Sequence, residues 1–219
     1  MMAESTRRGV PEATVGRLPG YLRALTALAE QRRASVSSEE LADLVGVRSA
    51  QVRKDLSTLG SYGVRGVGYD VERLLEQISA ELGLAEVHPL VIVGMGNLGR
   101  ALAAYGQLGS RGFRVAALVD DDPAVIGLEV HGLRVLPMAG LGTDLRDAVG
   151  VITTPSESAQ EVTDELVARG VRSILTFAPV VLRVPEDVDV RAVDVASELQ
   201  VLAFHAHQRR LTEVRGDAG

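Results

Sequence analysis

The chain of 219 residues contains no cysteine and no tryptophan, and aromatic residues make up only 3% of it. The lack of cysteine excludes disulfides, thiolate metal sites and thiol-based redox sensing. No run of apolar residues reaches the length of about 18 that a membrane-spanning helix needs, and residues 1–9 lack the apolar segment of a secretory signal. We therefore expect a cytoplasmic protein that binds neither membranes nor metal ions.

Lysine is also scarce, because Lys54 is the only lysine among 23 basic residues. A preference for arginine combined with abundant alanine, valine and glycine is typical of a GC-rich genome, so it says little about phosphate binding. The net charge of −6 and the pI near 5.3 argue against a nonspecific nucleic-acid coat. Residues 1–70 carry a balance of +2, however, against −8 for residues 71–219, which leaves room for a local basic surface.

Three helices are predicted in the first 60 residues. Leucines recur at helical spacing over 17–31, which predicts the first helix. Ser37, followed three residues later by Glu40, forms a capping box that opens the second helix, and Gly46 ends it. Ser49 is expected to cap the third helix. A helix, a glycine-containing turn and a second helix make up the helix-turn-helix pattern.

The third helix carries polar side chains suited to reading DNA. The N-terminal half of such a recognition helix meets base edges, and arginine can bond guanine with two hydrogen bonds. The side chains that we assign to DNA lie off its apolar stripe: Ser49, Gln51, Arg53, Lys54 and Ser57. The alternative is that Arg53, Lys54 and Asp55 are merely a solvated helix face.

A glycine-rich hairpin follows the third helix. It contains too much glycine to pack a core: Gly60, Gly63, Gly66 and Gly68. Arg65 and Gly66 lie in it, as expected for a wing whose arginine enters a narrow minor groove. The alternative is a plain turn between two domains. Because a helix-turn-helix pattern lies directly upstream, we favour the wing and predict double-stranded DNA as a partner.

A second glycine signature has the form G-x-G-x-x-G. It follows a predicted buried strand at 90–93 and opens a helix, which is the context of a dinucleotide-binding loop. Gly94 permits the turn, Gly96 lets a pyrophosphate approach the backbone, and Gly99 allows close packing. The cofactor residues expected in this loop are Gly94, Met95, Gly96, Asn97, Leu98 and Gly99.

Acidic residues follow the next predicted strand, at 115–119. Asp120 lies 26 residues beyond Gly94, where a carboxylate binds the adenosine ribose, and Asp122 follows closely. Such carboxylates would repel a 2′-phosphate, and neither arginine nor lysine follows closely. The sequence therefore favours NADH and NAD⁺ over the phosphorylated cofactors.

Later segments complete a doubly wound α/β sheet, with strands predicted at 149–153, 173–177 and 188–193. Ligands bind beyond the carboxyl ends of such strands. The residues expected near the nicotinamide are Thr153, Thr154, Pro155, Phe177, Ala178 and Pro179. The predicted fold class is thus a winged helix-turn-helix domain followed by a Rossmann-like parallel sheet and a C-terminal helix.

Catalysis is not expected, because a dehydrogenase needs an acid or base beside its substrate. None of the four histidines is predicted at a strand end, and the single lysine lies in the recognition helix. Two alternatives to a non-enzymatic regulator remain open. One is an NAD-dependent oxidoreductase with an accessory DNA-binding domain, and the other is a transcription factor that senses another nucleotide, such as coenzyme A.

The segment from Gln51 to Leu56, together with the glycine-rich hairpin at 60–69, resembles the winged helix of Rex, a family of bacterial redox-sensing repressors. The loop from Gly94 to Gly99 and the segment 177–180 resemble the same family, and the likeness covers about residues 10–210. It implies a homodimer that monitors the NADH/NAD⁺ ratio. Such a dimer binds an inverted-repeat operator when NADH is low and dissociates when NADH binds.

The resemblance also implies a domain layout and a switch. It divides the chain into a winged helix with a connecting helix at 10–83, a cofactor domain at 84–196 and a dimerisation helix at 197–213, which is swapped between subunits. By position, Arg23 and Asp194 match the ion pair between the domains in the DNA-binding state. Tyr105 matches the tyrosine that engages this aspartate when NADH binds. The departures from the family pattern are Leu56, Thr58, Thr176 and Val195.

Overall fold

The computed structural model describes residues 10–61, 63–64 and 66–216, with side chains as far as residue 210. The chain divides into two compact units between Glu86 and Val87, and each unit is described by itself. Within the described ranges, no helix has the length and apolar character needed to cross a membrane.

The described part of the first unit is mainly helical. Its elements are α1 (Glu12–Val15), α2 (Leu18–Glu30), β1 (Ser35–Val36), α3 (Ser38–Val45), α4 (Ser49–Thr58), β2 (Tyr69–Asp70) and α5 (Val71–Glu81). Strands β1 and β2 pair antiparallel, and a bridge between Val64 and Gly68 closes the hairpin that precedes β2. Helices α3 and α4 with this hairpin form the expected winged helix-turn-helix.

The local signals of α2 and α3 act largely as predicted. Pro19 lies in the first turn of α2, where a missing amide costs no intrahelical hydrogen bond. The Ser37 Oγ accepts from the Glu40 amide at 3.0 Å, and Gly46 ends α3 with φ +75°. The carboxylate of Glu40 pairs with Arg33 at 3.0 Å, so the reciprocal half of the predicted capping box is replaced by an ion pair.

The predicted cap of α4 is wrong. Ser49 is the first residue within the helix, the cap residue is Arg48, and no side chain caps this end. The amides of Gly46 and Val47 both donate to the carbonyl of Ala42, which turns the chain tightly after α3. The extended Arg48 then leads directly into α4.

The second unit is built on a seven-stranded sheet. Its strands are β3 (His88–Val93), β4 (Phe113–Val119), β5 (Glu129–Val130), β6 (Leu133–Leu136), β7 (Val149–Ile152), β8 (Ser173–Thr176) and β9 (Asp189–Ala192). Their order is β5-β6-β4-β3-β7-β8-β9, and every pair is parallel except β5 with β6. Strands β4, β5 and β6 lie on one side of β3, and β7, β8 and β9 lie on its other side. The strand order therefore reverses at β3, and ligands bind at such a switch point in folds of this kind.

The helices of the second unit are α6 (Asn97–Ala103), α7 (Ser156–Ala168) and α8 (Val195–Gly216). Helices α6 and α7 cover the two faces of the sheet. Buried Ala159, Val162 and Leu166 of α7 join the core on one face, whereas Leu102 and Ala103 of α6 pack on the other. The spacing of Leu98, Leu102 and Tyr105 in the sequence predicts that all three lie on one helix, but α6 ends at Ala103, so this prediction is wrong for Tyr105.

Helix α8 presents apolar side chains to solvent within the single chain. The large ones are Val195, Leu199, Val201, Leu202 and Phe204. The family resemblance implies four buried positions on this helix: Leu199, Leu202, Phe204 and Ala206. The first three are exposed here, so their burial requires a surface that the single chain does not supply.

Candidate DNA interface and cofactor site

The outer face of α4 carries the candidate DNA-reading side chains. Arg53 and Lys54 are exposed, whereas Ser49, Gln51 and Ser57 are half-buried. Helix α4 is fixed to the unit by Val52 and Leu56, both fully buried. The helix therefore presents its cations to solvent from a rigid base.

A groove of about 700 Å³ lies between α4, the first turn of α3 and the wing. Arg53 and Ser57 line it from α4, and Ser38 and Glu39 line it from α3. The Gly66 backbone has φ +80°, which permits the tight turn at the wing tip. Arg65, the predicted minor-groove residue, lies outside the described residues.

Asp55 is the residue of α4 that sequence reasoning missed. Its side chain is fully buried, so the interpretation of Asp55 as part of a solvated face is wrong. The carboxylate accepts hydrogen bonds from Thr14, from Arg17, from Tyr21 at 2.8 Å and from Gln51 at 2.8 Å. Burial alone would raise the pKa of Asp55, but the hydrogen bonds from Arg17, Tyr21, Gln51 and Thr14 outweigh it and lower this pKa to about 2.

One sequence signal could have indicated this network. Asp55 follows Val52 by three residues and immediately precedes Leu56, so it lies beside the buried stripe of α4. A buried carboxylate needs charged or hydrogen-bonding partners, and Arg17 and Tyr21 lie on the predicted first helix. Because Gln51 donates to Asp55, at least one of its amide hydrogens is turned into the unit.

A second network fixes the turn between α4 and the wing. Gln77 of α5 donates from Nε2 to the carbonyl of Leu59 and accepts from the hydroxyl of Ser61. Leu59 is the C-cap of α4. The connecting helix thereby holds the recognition helix and the start of the wing in one arrangement.

The glycine loop between β3 and α6 is shaped by close packing. Gly94 has φ +100°, and a Cβ atom there would lie 2.9 Å from the Thr153 carbonyl carbon. A Cβ at Gly99 would lie 1.8 Å from the Gly94 carbonyl oxygen. At Gly96 a Cβ would meet nothing within 4 Å. Gly94 and Gly99 are thus required by packing, whereas Gly96 leaves open space in front of the backbone.

Side chains hold the loop from both sides. The Met95 amide donates to Asp120 Oδ2 at 2.5 Å, and its carbonyl accepts from Arg100 Nε at 2.7 Å. The Thr153 hydroxyl lies within hydrogen-bond distance of the carbonyl oxygens of Gly94, at 2.7 Å, and Val93, at 3.0 Å. Sequence reasoning missed Arg100, because a polar residue in the middle of a helix carries no sign of a bond to the preceding loop.

Asp120 has a structural partner on each carboxylate oxygen. Besides the Met95 amide on Oδ2, its Oδ1 accepts from the Asp122 amide at 2.8 Å. Asp122 in turn accepts from the Ala124 amide at 2.9 Å. The two acids therefore shape the turn after β4 beside the glycine loop, and each carboxylate oxygen keeps a second lone pair.

The other predicted cofactor residues follow β7 and β8. Thr153, Thr154 and Pro155 come directly after β7, and the parallel register of β3, β7 and β8 brings these strand ends to the edge that carries the glycine loop. Phe177 donates from its amide to the carbonyl of Ile152 at the end of β7. The Thr154 hydroxyl is buried without a hydrogen-bond partner among the described residues.

The segment after β8 is partly buried. Ala178 is buried and donates from its amide to the Thr176 hydroxyl at 3.1 Å, whereas Pro179 is exposed. Thr176, a departure from the family pattern, thus fixes this turn. At this edge the space in front of Gly96 is open, and the Thr154 hydroxyl lacks a hydrogen-bond partner among the described residues.

The three predicted switch residues fall in different places. Arg23 lies on α2 in the first unit, and Asp194 precedes α8 in the second. Asp194 accepts from the Ser197 hydroxyl at 2.6 Å and from the amides of Ala196 and Ser197, and the hydrogen bonds from Ser197 lower its pKa. The Tyr105 hydroxyl donates to Gln107 at 3.0 Å. Pairing of Asp194 with Arg23 or Tyr105 remains a prediction.

A winged helix joined to a Rossmann-like domain is the architecture of a DNA-binding regulator that binds a nucleotide. Two family models match this chain, one in each of these two parts. The model described as "Putative DNA-binding protein N-terminus" matches residues 9–57. The model described as "CoA binding domain" matches residues 86–180. The first match lies in the first unit, and the second begins at residue 86, where the first unit ends.

Curated relatives identify the family. The chain is 62% identical to the redox-sensing transcriptional repressor Rex of Streptomyces griseus, over 92% of this chain and 81% of that protein. It is 60% identical to Rex of Streptomyces coelicolor, over 96% and 83%, and 45% identical to Rex of Desulfitobacterium hafniense, over 92% and 97%. The chain therefore belongs to the Rex family of redox-sensing transcriptional repressors.

Solved structures of a family member have the same fold. The crystal structure of RSP, a Rex-family repressor, with β-NAD⁺ and operator DNA is 31% identical, covering 96% of this chain and 99% of that chain, with a TM-score of 0.86. The structure of RSP with β-NADH is 30% identical, covering 93% and 97%, with a TM-score of 0.83.

Proposed function

We propose that this chain is a DNA-binding transcriptional repressor that monitors the NADH/NAD⁺ ratio. The observation that carries the proposal is the presence, in one chain, of a recognition helix with exposed Arg53 and Lys54 and of a braced dinucleotide loop. Family membership and the complexes of RSP with operator DNA, NAD⁺ and NADH support the same function. The protein acts on DNA in the cytoplasm and has no catalytic role.

On the DNA side, a homodimer places one α4 helix in the major groove of each half of an inverted repeat. Arg53 and Lys54 contact base edges or phosphates, and Ser49, Gln51 and Ser57 border them. Arg65 and Gly66 of the wing approach the minor groove. The exposed apolar side chains of α8 become buried against the partner subunit, in the swapped arrangement that the family resemblance implies.

On the cofactor side, the open space at Gly96 admits the pyrophosphate, flanked by the rest of the glycine loop. Asp120 and Asp122 use their free lone pairs for the adenosine ribose. The nicotinamide lies among the strand-end residues: Thr153, Thr154, Pro155, Phe177, Ala178 and Pro179. The two redox forms differ in the charge and planarity of this ring, which is the difference that the site has to detect.

The switch couples this site to the winged helices. A ligand shifts an equilibrium only as far as it binds one arrangement more tightly than the other. We assign the DNA-binding arrangement to an ion pair between Arg23 and Asp194. In the released arrangement Asp194 accepts a hydrogen bond from Tyr105 instead.

The test is fluorescence anisotropy of a labelled inverted-repeat duplex at fixed salt, because phosphate contacts make affinity depend on salt. We expect micromolar NADH to release the protein and excess NAD⁺ to oppose the release. An Asp194→Ala variant should respond weakly to NADH. DNA binding that is indifferent to both cofactors would refute the redox function.

One observation favours a second candidate ligand, since the family model matching 86–180 is described as a coenzyme A domain. Thermal unfolding with NADH, NAD⁺ or coenzyme A separates the two, because the ligand that binds the native state raises the melting temperature. An oxidoreductase would instead oxidise NADH or reduce NAD⁺ only when a substrate is added.

A further inference from the structure

Arg53 is tied to the first turn of α3. Its Nη1 donates to the Ser38 hydroxyl at 2.9 Å and to Glu39 Oε1 at 3.1 Å. The Ser38 hydroxyl itself donates to Glu39 Oε2 at 3.2 Å. Three side chains from two helices thus form a closed cluster at the groove between the recognition helix and the wing.

The cluster uses only one end of the guanidinium. Nε and Nη2 of Arg53 have no hydrogen-bond partner within residues 10–61, 63–64 and 66–210. Those two nitrogens form one edge of the planar group, with parallel N–H bonds. Such an edge matches the two acceptors, O6 and N7, that guanine presents in the major groove.

Stability does not explain the cluster. The side chains of Arg53 and Glu39 are 53% and 68% exposed, and ion pairs this exposed contribute little to folding. Hydrogen bonds from its own backbone amide and from Ser38, with a smaller one from Arg53, lower the pKa of Glu39. Glu39 therefore stays ionised at neutral pH, where a negative charge beside DNA phosphates weakens binding.

We propose that Glu39, with Ser38, is a positioning residue that orients Arg53 so that its Nε–Nη2 edge faces a guanine of the operator. The cluster restricts the rotation of a long side chain before DNA binds, so less entropy is lost on recognition. Glu39 thereby raises the ratio of the affinity for the cognate sequence to that for other sequences, although its negative charge lowers the affinity for every duplex. This inference rests on the proposed operator binding.

The competing role for Arg53 is a phosphate contact, and it makes a different prediction. A phosphate contact strengthens binding to every sequence and adds about one to the salt slope. An oriented base contact instead changes the ratio of affinities for cognate and other duplexes. The two roles are therefore distinguished by the ratio of the affinities for cognate and unrelated duplexes, and not by the affinity for either duplex alone.

The experiment compares Glu39→Gln with Glu40→Gln. Both variants remove one negative charge from the first turn of α3, but Glu40 pairs with Arg33 and not with Arg53. The full-length protein is titrated by anisotropy against an operator selected from a random duplex library by the wild type, and against an unrelated duplex, at several salt concentrations. Each guanine of the half-site is also replaced in turn by adenine.

We expect Glu39→Gln to reduce the ratio of operator to unrelated affinity by about tenfold, the size of one bidentate base contact, and to reduce the penalty at one guanine. Glu40→Gln should keep the wild-type ratio. Equal ratios in both variants and the wild type would overturn the inference. A wild type that selects no operator would refute the proposed function instead.

Discussion

Arg17 and Asp55 form a two-point ion pair inside the winged helix, with Nε donating to Oδ2 at 2.6 Å and Nη2 to Oδ1 at 2.7 Å. Asp55 is 1% exposed and Arg17 28%. Removal of one partner leaves the other charge unpaired. We therefore predict that Asp55→Ala lowers the free energy of unfolding by about 2–4 kcal/mol. The loss is smaller than for a fully buried pair because the Arg17 side chain remains partly hydrated.

Chemical denaturation of the full chain, followed by circular dichroism, measures this loss. Asp43→Ala is the matched control, because Asp43 is an exposed carboxylate on α3. We expect the control to change stability by less than about 0.5 kcal/mol. An Asp55 variant as stable as the control would show that the network adds nothing to folding.

The same carboxylate predicts an acid-dependent stability. The pKa of Asp55 falls from 3.8 to about 2 in the folded chain, so the ionised form favours folding. This stabilisation is complete above about pH 4 and is lost as the pH falls towards 2, amounting to about 2 kcal/mol. Urea denaturation of wild type and Asp55→Asn from pH 5 to pH 2 should show the stability gap narrowing over this window. A constant gap would contradict the assigned pKa.

Two glycines of the cofactor loop should respond differently to alanine. Gly99→Ala places a methyl group 1.8 Å from the Gly94 carbonyl oxygen, so we expect a loss of about 3 kcal/mol or more in stability. Gly96→Ala meets no atom within 4 Å, so it should unfold at the wild-type temperature.

Addition of NADH tests whether Gly96, which packing does not require, is needed for cofactor binding. The wild type should gain thermal stability with NADH, because a ligand of the native state stabilises it. Gly96→Ala should gain little, since its methyl group fills the space that the pyrophosphate needs. An equal gain in Gly96→Ala and wild type would place the pyrophosphate elsewhere.

Helix α8 offers a test of the proposed homodimer. Leu202 is 62% exposed in the single chain, and burying an aspartate at this position in an interface would leave an unpaired charge. We predict that Leu202→Asp gives monomers in sedimentation equilibrium and weakens operator binding. Gln200→Asp introduces the same charge at an exposed polar position and should remain a dimer. Monomers of the wild type would rule out the dimer.

Much of this architecture is predictable because it depends on local patterns. The leucine spacing of α2, the φ +75° of Gly46 and the glycine loop after β3 each follow from residues close together in the chain. The segment 188–193 is likewise predicted from its sequence to be an edge strand, and the strand order confirms this for β9.

Partners far apart in the chain were not predictable in the same way. Asp55 meets Thr14 across 41 residues, and no spacing rule connects them. Asp120 was expected to bind the ribose, but nothing local indicates that Met95, 25 residues earlier, donates to it.

Both edges of the seven-stranded sheet are short. Strand β5 has two residues, and β9 has four, which include Asp189 and Arg191. Unpaired backbone groups on long, flat edges invite strands from other chains, and short or charged edges discourage this. We therefore expect the second unit to resist fibril growth by strand addition, so the protein should stay dispersed even when it is overproduced.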